Sequence, residues 1–335
     1  MRVTTGLLIR NYRNNLNNSI TNLDLVRTKV ETQRQFTKAY QNPTGQVRAA
    51  GIYKKYAKTE DYISTIENTE SFLKTQEDAI MQVNTQARYL SKQYGLEAMN
   101  ATNWSYDVRK TYAEAFRSAQ ESMTMSMNAS YGDTFVFAGA VGNESPFRLL
   151  DDGNGGKKLT YRGVDVTTGD IDMLDEMAAE KINLDMGFGL EMDGNDAANS
   201  TAFDTALPGI RALGYGEDDN GYSKNIVVLA GKLADLLDEE DFDSEEYTNV
   251  LNAFDEARKK LIDNVTTLGT KSNFLSTTKD RLEDQQVELN TQLKNTVDVD
   301  MADAITEYMW AQYAYNATLK IGTSILTPSF IDFMS

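Results

Sequence analysis

Seven residues, Tyr247, Phe254, Leu261, Leu268, Leu275, Leu282 and Leu289, stand at strict seven-residue intervals. A straight α-helix drifts off such a repeat by about 20° per heptad, so the stripe is kept together only by left-handed winding against a partner. Asp243 with Glu246 forms a plausible capping pair at the start of this helix. If it runs to about Leu293 it is roughly 75 Å long at 1.5 Å per residue. Gly269 is its one weak point, worth about 1 kcal/mol against alanine and a candidate bend. A matching seam lies earlier, where Ile66, Leu73, Ile80, Ala87 and Tyr94 recur every seven residues with Val83 and Leu90 between them. The two seams are expected to close on one another within the chain.

The punctuation of the chain separates helix from turn. Sixteen of the 22 glycines and two of the four prolines fall between Gly132 and Gly231. The flanks can therefore form long uninterrupted helices, while the middle cannot. A first helix carries Ile9, Tyr12, Leu16, Ile20, Leu23, Val26 and Val30 on one face. Asn42-Pro43-Thr44-Gly45 marks a joint, because proline cannot continue the hydrogen-bond ladder. Another helix is expected from about Ser105 to Ser130, with Tyr112, Phe116, Ala119, Met123 and Met127 inward. Residues 295–300 interrupt the long ladder, and Asp300 with Asp303 starts a last helix carrying Met301, Ile305, Tyr308, Gln312, Tyr315 and Leu319. That helix is expected to close at Gly322, before an apolar tail that includes Phe330 and Phe333. Two terminal helices of similar length, on a chain that reverses in its middle, are natural antiparallel partners. Between the flanks, residues 134–138 and 159–161 read as short strands, residues 151–156 as a hairpin turn, and residues 182–192 as a third strand candidate.

The fold expected is mainly α, an antiparallel long-helix bundle formed by the N- and C-terminal segments, with a small inserted β domain. Its expected division is a terminal helical assembly segment at 1–43 plus 296–335, disordered in the free monomer, a central bundle with a β-hairpin at 44–147 plus 226–295, and an exposed insert at 148–225. A thin pair of helices of about 40 residues each is marginal without further burial, which is the physical case for self-association through the termini.

Composition narrows the chemistry. With no histidine and no cysteine, imidazole and thiolate catalysis, disulfides and metal sites built on either residue are excluded. The net charge of −17 repels a phosphate backbone, so nucleic acid is not an expected partner. No apolar run reaches the roughly 18 residues a membrane span needs, and Leu7-Leu8-Ile9 is too short for the apolar region of a cleaved secretory signal. Acidic groups at Asp151, Asp152 and Asn154, at Asp193, Asn195 and Asp196, and at 217–220 all sit beside glycine. They lack the alternating ligands of a calcium loop and read as turn chemistry. Gly187-Phe-Gly189 and Gly214-Tyr-Gly216 lack the context of a phosphate loop. Met123, Met125 and Met127 could form a soft partner surface, but the first and last fall on the apolar face of their helix. No cofactor and no enzymatic activity are expected.

Several segments together resemble the flagellar hook-associated protein 3 family, the FlgL-type relatives of flagellin. They are Met1-Arg-Val-Thr-Thr5, the joint at Asn42-Pro43, Tyr131-Gly-Asp-Thr-Phe-Val-Phe-Ala-Gly139 followed by Ser145-Pro-Phe147, Val297-Asp-Val-Asp-Met-Ala-Asp-Ala-Ile305, and Ser329-Phe-Ile-Asp-Phe333. Phe135, Phe137, Gly139, Pro146 and Phe147 match the family's hairpin motif. The joint departs from the family pattern at Thr32-Gln33 and Tyr40-Gln-Asn-Pro43, and the C-terminal end is less leucine-rich. The resemblance implies a structural, extracellular component of the bacterial flagellum, exported by the flagellar type III apparatus and held beforehand by an export chaperone at its C-terminal region. It implies a ring of about eleven copies between the first hook-associated protein and the flagellin filament. The subunit contacts would be made by Leu16, Ile20, Leu23, Met301, Ile305, Tyr308, Tyr315, Leu319, Phe330 and Phe333. Flagellin itself is the alternative within the same class.

Overall fold

A computed structural model describes residues 2–100 and 105–331, apart from residues 152, 154, 155, 190, 194, 195 and 198–201. The chain divides into two compact units, residues 1–60 with 283–335, and residues 61–282.

The terminal unit is built on helices α1 (Arg2–Thr32) and, at the other end of the chain, α9 (Met301–Ile331), together with one end of each of the two longest helices, α2 (Pro43–Tyr89) and α8 (Ser244–Val297). Local chemistry sets these boundaries. The Asn42 side chain accepts from the Gly45 amide at 2.9 Å and Pro43 takes the first helical position, where a missing N–H costs nothing. At α8, Asp243 Oδ1 accepts from the amides of Glu245 and Glu246 at 2.9 and 3.1 Å. Glu246 turns instead to Lys232 at 3.3 Å, so the cap is one-sided. Helix α8 spans 54 residues, about 81 Å at 1.5 Å per residue, four residues past the expected end. Gly269 lies inside it, with nothing within 4 Å of where a Cβ would stand. The break expected at 295–300 narrows to residues 298–300, and Asp300 caps α9 by accepting from Ala302 and Asp303. Helix α9 does not close at Gly322 but continues to Ile331.

In the unit formed by residues 61–282 the two seams close on each other. Tyr247, Phe254, Leu261, Leu268, Leu275 and Leu282 are all buried in one cluster with Ile66, Leu73, Ile80, Val83, Ala87 and Leu90. Polar pairs fix the antiparallel direction: Lys279 meets Glu67 at 2.7 Å, Arg258 meets Asn84 at 3.5 Å, and Ser91 donates to Asp255 at 2.8 Å. Tyr94, expected on this seam, is exposed instead. Residues Leu90–Gly95 form a π-helical turn that inserts one residue into the repeat and leads into α3 (Leu96–Ala98). The next inward position is therefore Gly95, where a Cβ would stand 2.8 Å from a Leu251 methyl and 2.9 Å from the Leu90 carbonyl oxygen.

Helix α4 (Tyr106–Met127) buries Ala113, Phe116, Met123 and Met127 and leaves Met125 outside, as core packing requires. It packs along α7 (Ile226–Asp238): Gln120 Nε2 donates to the Val227 carbonyl at 3.2 Å, and Arg117 pairs with Asp235 and Asp238. Buried Arg109 donates to the carbonyls of Leu237, Glu239 and Glu240, which closes the C-terminal end of α7 with a cation.

The remaining elements of this unit are short. β1 (Ser130–Tyr131) pairs with β2 (Thr134–Phe135). β3 (Phe147–Asp151), β4 (Lys157–Tyr161) and β5 (Val164–Asp165) form an antiparallel sheet, with Phe147 opposite Tyr161 and Asp151 opposite Lys157. Helix α5 (Ile171–Ala178) follows, then β6 (Asn183–Leu184) paired with β9 (Phe203–Asp204), and β7 (Met192–Asp193) paired with β8 (Asp196–Ala197). Helix α6 (Gly209–Leu213) precedes α7. β3 and β4 pair on either side of the turn expected at 151–156, of which residues 152, 154 and 155 lie outside the described residues, and residues 182–192 hold one short strand and the start of another. The strand expected at 134–138 is only two residues long, because residues 136–139 turn into the core instead of continuing a ladder.

Candidate assembly surface

The terminal helices lie side by side and antiparallel. Ser19 Oγ is 3.4 Å from Thr318 Oγ1, and Lys29 Nζ is 3.1 Å from Glu307 Oε2. From α1 the covered residues are Tyr12, Leu16, Ser19, Leu23, Val26 and Val30, at alternating steps of four and three. From α9 they are Met301, Ala304, Tyr308, Ala311, Tyr315, Thr318 and Gly322, at steps of three and four. Such a stripe is a coiled-coil seam with one side made of small residues. Gly322 is part of it rather than a stop: a Cβ there would run into the Tyr12 ring.

The joint brings the two chain ends together. The Gln35 amide donates to the Val297 carbonyl at 2.7 Å and the Val299 amide to the Gln33 carbonyl at 3.1 Å, around a bridge between Arg34 and Asp298. Phe36 is buried beside it with Ala49, Val297 and Leu293. Gln33 takes φ +57°, a left-handed turn that ends α1.

Of the residues expected to make subunit contacts, Leu16, Leu23, Met301, Tyr308 and Tyr315 are half-buried along the α1-α9 seam, whereas Ile20, Ile305 and Leu319 point away from it and are exposed. The side chain of Phe330 and the whole of Phe333 lie outside the described residues. What the 3-4 spacing missed is how much more of α9 is apolar. Met309, Trp310, Tyr313 and Ile321 are 64%, 70%, 71% and 56% exposed, and the helix carries only three charged residues in 31. Apolar residues spread on several sides of a helix normally call for more than one neighbour. Here α1 covers a single side.

The hairpin motif is a knot in the core, not a surface. Phe137, Pro146 and Phe147 are buried and Phe135 half-buried. The Phe137 carbonyl accepts from the Gly209 amide at 2.8 Å and from the Tyr161 hydroxyl at 2.9 Å. Gln76 Nε2 donates to the Val136 carbonyl at 2.5 Å, and Asn128 clamps Phe147 by both its amide and its carbonyl. The Phe147 and Tyr161 rings lie 5.0 Å apart, and burial pushes the Tyr161 hydroxyl up to about 12. Gly139 sits at φ +67°, directly over the Glu180 carboxylate that pairs with Arg162 at 2.6 Å.

Among the described residues, no group of three or more acidic side chains is placed to hold a metal. Asp218 accepts from the amides of Asn220 and Tyr222, bonds that hold its carboxyl below the usual range and make it a turn residue. The acidic positions at 152 and 154, and the side chains of Asp193, Asn195 and Asp196, lie outside the described residues. No helix among the described residues is long and apolar enough to cross a membrane.

Long helices from both chain ends that pair antiparallel, and a strand-rich stretch between them, define a mainly α class of long-helix proteins with a small β insert. Residues 251–324, which hold the α8 ladder from Phe254 onward and most of α9, match the bacterial flagellin C-terminal helical region. No curated protein sequence matches the chain significantly. Among solved structures, a flagellar hook-associated protein from Vibrio parahaemolyticus superposes with a TM-score of 0.60 at 15% identity, over 77% of this chain and 100% of that one. The hook-associated protein 3 from Legionella pneumophila gives 0.55 at 12% identity, over 73% and 97%. FlgL from Bacillus cereus gives 0.51 at 16% identity, over 73% and 99%. The fold is thus the flagellin-like one of the FlgL-type proteins, and the helices at its C-terminal end are similar to the flagellin C-terminal region.

Proposed function

We propose that this chain is the hook-filament junction subunit of a bacterial flagellum, joining the ring of the first hook-associated protein to the flagellin filament. The observation that carries this reading is the uncovered circumference of α9, an apolar surface that only further helices can bury. Residues 1–43 and 296–335 are the assembly segment, residues 44–147 with 226–295 the supporting bundle, and residues 148–225 the exposed insert. Subunits would close into a ring of about eleven through Ile20, Ile305 and Leu319 and their exposed neighbours. Before assembly the chain would travel unfolded through the flagellar type III apparatus, its C-terminal region held by a chaperone that shields the same surface. Nothing in this role calls for a cofactor, a nucleic acid or a membrane.

Two measurements test it. In a strain lacking the gene, hooks without filaments are expected, and normal filaments would refute the junction role. Purified chain seeded with filament fragments should not elongate them on its own. Growth of long filaments would identify a filament subunit instead.

A further inference from the structure

The charge of this chain is distributed unevenly. Residues 25–59 hold eight basic residues against one acidic residue, Glu31, in a chain that is −17 overall. Arg27 is engaged by Glu31 at 2.7 Å and Lys29 by Glu307 at 3.1 Å. Arg34, Lys38, Arg48, Lys54 and Lys55 are exposed and form no ion pair among the described residues. Beside Arg34 opens a recess of about 380 Å³, lined by Leu25, Lys29, Arg34, Phe36 and Tyr40. The joint is therefore cationic around a recess with Leu25, Phe36 and Tyr40 in its lining, and the first turns of α2 carry exposed charge of the same sign.

Residues 61–282 carry the opposite sign, with 39 acidic against 20 basic residues. The density peaks at the turn between α7 and α8, where eight of the twelve residues at 235–246 are acidic. Asp235 and Asp238 are taken by Arg117, Glu246 by Lys232, and Asp243 caps α8. Glu239, Glu240, Asp241 and Glu245 remain exposed, and Arg109 draws on backbone carbonyls of the turn, not on its carboxylates.

We propose that the cationic joint of one copy docks the acidic α7-α8 turn of a second copy. Charge complementarity selects this occupant. A polyanion such as nucleic acid or an anionic lipid surface would set continuous negative charge against a chain of net charge −17, whereas a second copy confines its negative charge at the contact to a compact turn of opposite sign to the joint. Because the two patches differ, the contact is heterologous, the kind that closes into a ring or runs on as a helix. It adds to the apolar seam of α9 a contact that sets orientation and association rate. The inference rests on the reading that the chain assembles with itself.

The test uses the full-length chain and sedimentation velocity at low and high salt. Lys54→Glu with Lys55→Glu, and separately Glu239→Lys with Asp241→Lys, change exposed side chains only, and circular dichroism checks that helix content is kept. Each reversed pair should weaken self-association by about tenfold or more at low salt, and raised salt should erase the difference. Combining both reversals should restore a large part of the loss. Association that is untouched by the reversals, or a combined variant as weak as the worse parent, overturns the inference and leaves the apolar assembly reading in place. So does retention of the chain on phosphatidylglycerol vesicles or duplex DNA that the lysine reversals abolish while self-association stays unchanged. If the unaltered chain stays monomeric at every salt and concentration, the assembly reading fails first and the inference falls with it.

Discussion

The α2-α8 seam of residues 61–282 and the α1-α9 pair are written with the same 3-4 spacing, yet they end in opposite states. On the first, every ladder residue from Tyr247 to Leu282 is buried, because α2, α4, α7 and the hairpin knot surround the stripe. On the second, a single neighbour covers Tyr12, Leu16 and Val26, while Trp310 and Tyr313 face outward. Spacing therefore specifies that a helix needs a partner. How many partners it needs is set by how far around its circumference the apolar residues extend.

The sharpest way to break this comparison is to place equal damage in each region. Phe254→Ala should destabilise the unit of residues 61–282 by about 3–5 kcal/mol, since a fully buried ring is lost from a packed cluster. Ile305→Asp should leave the unfolding free energy of that unit within about 0.5 kcal/mol of the parent and abolish self-association instead. Urea titration followed by tryptophan-independent circular dichroism, paired with sedimentation, reads both. A large folding defect from Ile305→Asp would mean that the terminal pair is an ordinary part of the core.

A second pair of substitutions asks whether the hairpin motif is structural. A Cβ at Gly209 would stand 2.8 Å from Phe147 Cζ and 3.0 Å from Phe137 Cβ. Gly209→Ala should therefore cost about 2 kcal/mol through overpacking. Gly153→Ala, where nothing lies within 4 Å but φ is +85°, should cost about 1 kcal/mol. Equal effects would show that close packing around Phe147 is not what the motif provides.

These contrasts also explain what could be read from the residues alone. The long ladders were legible because an apolar residue every seventh position on an otherwise polar helix leaves one solution for its buried face. The outward turn of Tyr94 was not, since a one-residue π insertion has no signature of its own beyond Gly95, the small residue that tolerates Leu251. On α9 the spacing pointed to Ile305, Gln312 and Leu319, but the seam uses Ala304, Ala311 and Thr318. A helix whose apolar residues are spread around its axis offers many 3-4 stripes, and only the small residues at seven-residue spacing mark the side a neighbour can approach. Residues 134–138 looked like a strand because they are rich in aromatic and β-branched side chains, yet Val136 and Phe137 give their carbonyls to Gln76, Gly209 and Tyr161. The strand reading therefore held for Thr134 and Phe135 and failed for residues 136–138.

Alkaline pH should separate the two regions with a smaller effect. Burial pushes Tyr161 up from 10 to about 12, and raises Tyr247 as well. The folded state holds protons that the unfolded chain would release, so this stabilisation is complete below pH 10 and drains away as pH rises through 12. For Tyr161 the loss is on the order of 2 kcal/mol across that window. Tyr161→Phe should flatten the slope of stability against pH, at the separate cost of the hydrogen bond to the Phe137 carbonyl. An unchanged slope would mean that the hydroxyl is not shielded from water.

The smallest effect concerns the seam itself. Gly322 lets α1 approach α9 so closely that a methyl group would meet the Tyr12 ring. The obstacle is a side chain on a half-covered surface, which can swing aside, so Gly322→Ala should cost the terminal pair less than about 1 kcal/mol, offset in part by alanine's higher helix propensity. Tyr12→Leu should remove the clash and recover the difference in the double variant, a coupling that only touching residues produce. Protection of α1 amides from hydrogen exchange is the readout, because global unfolding reports residues 61–282 first. If Gly322→Ala and Tyr12→Leu act additively on that protection, the two positions do not meet, and α9 pairs with α1 in another register.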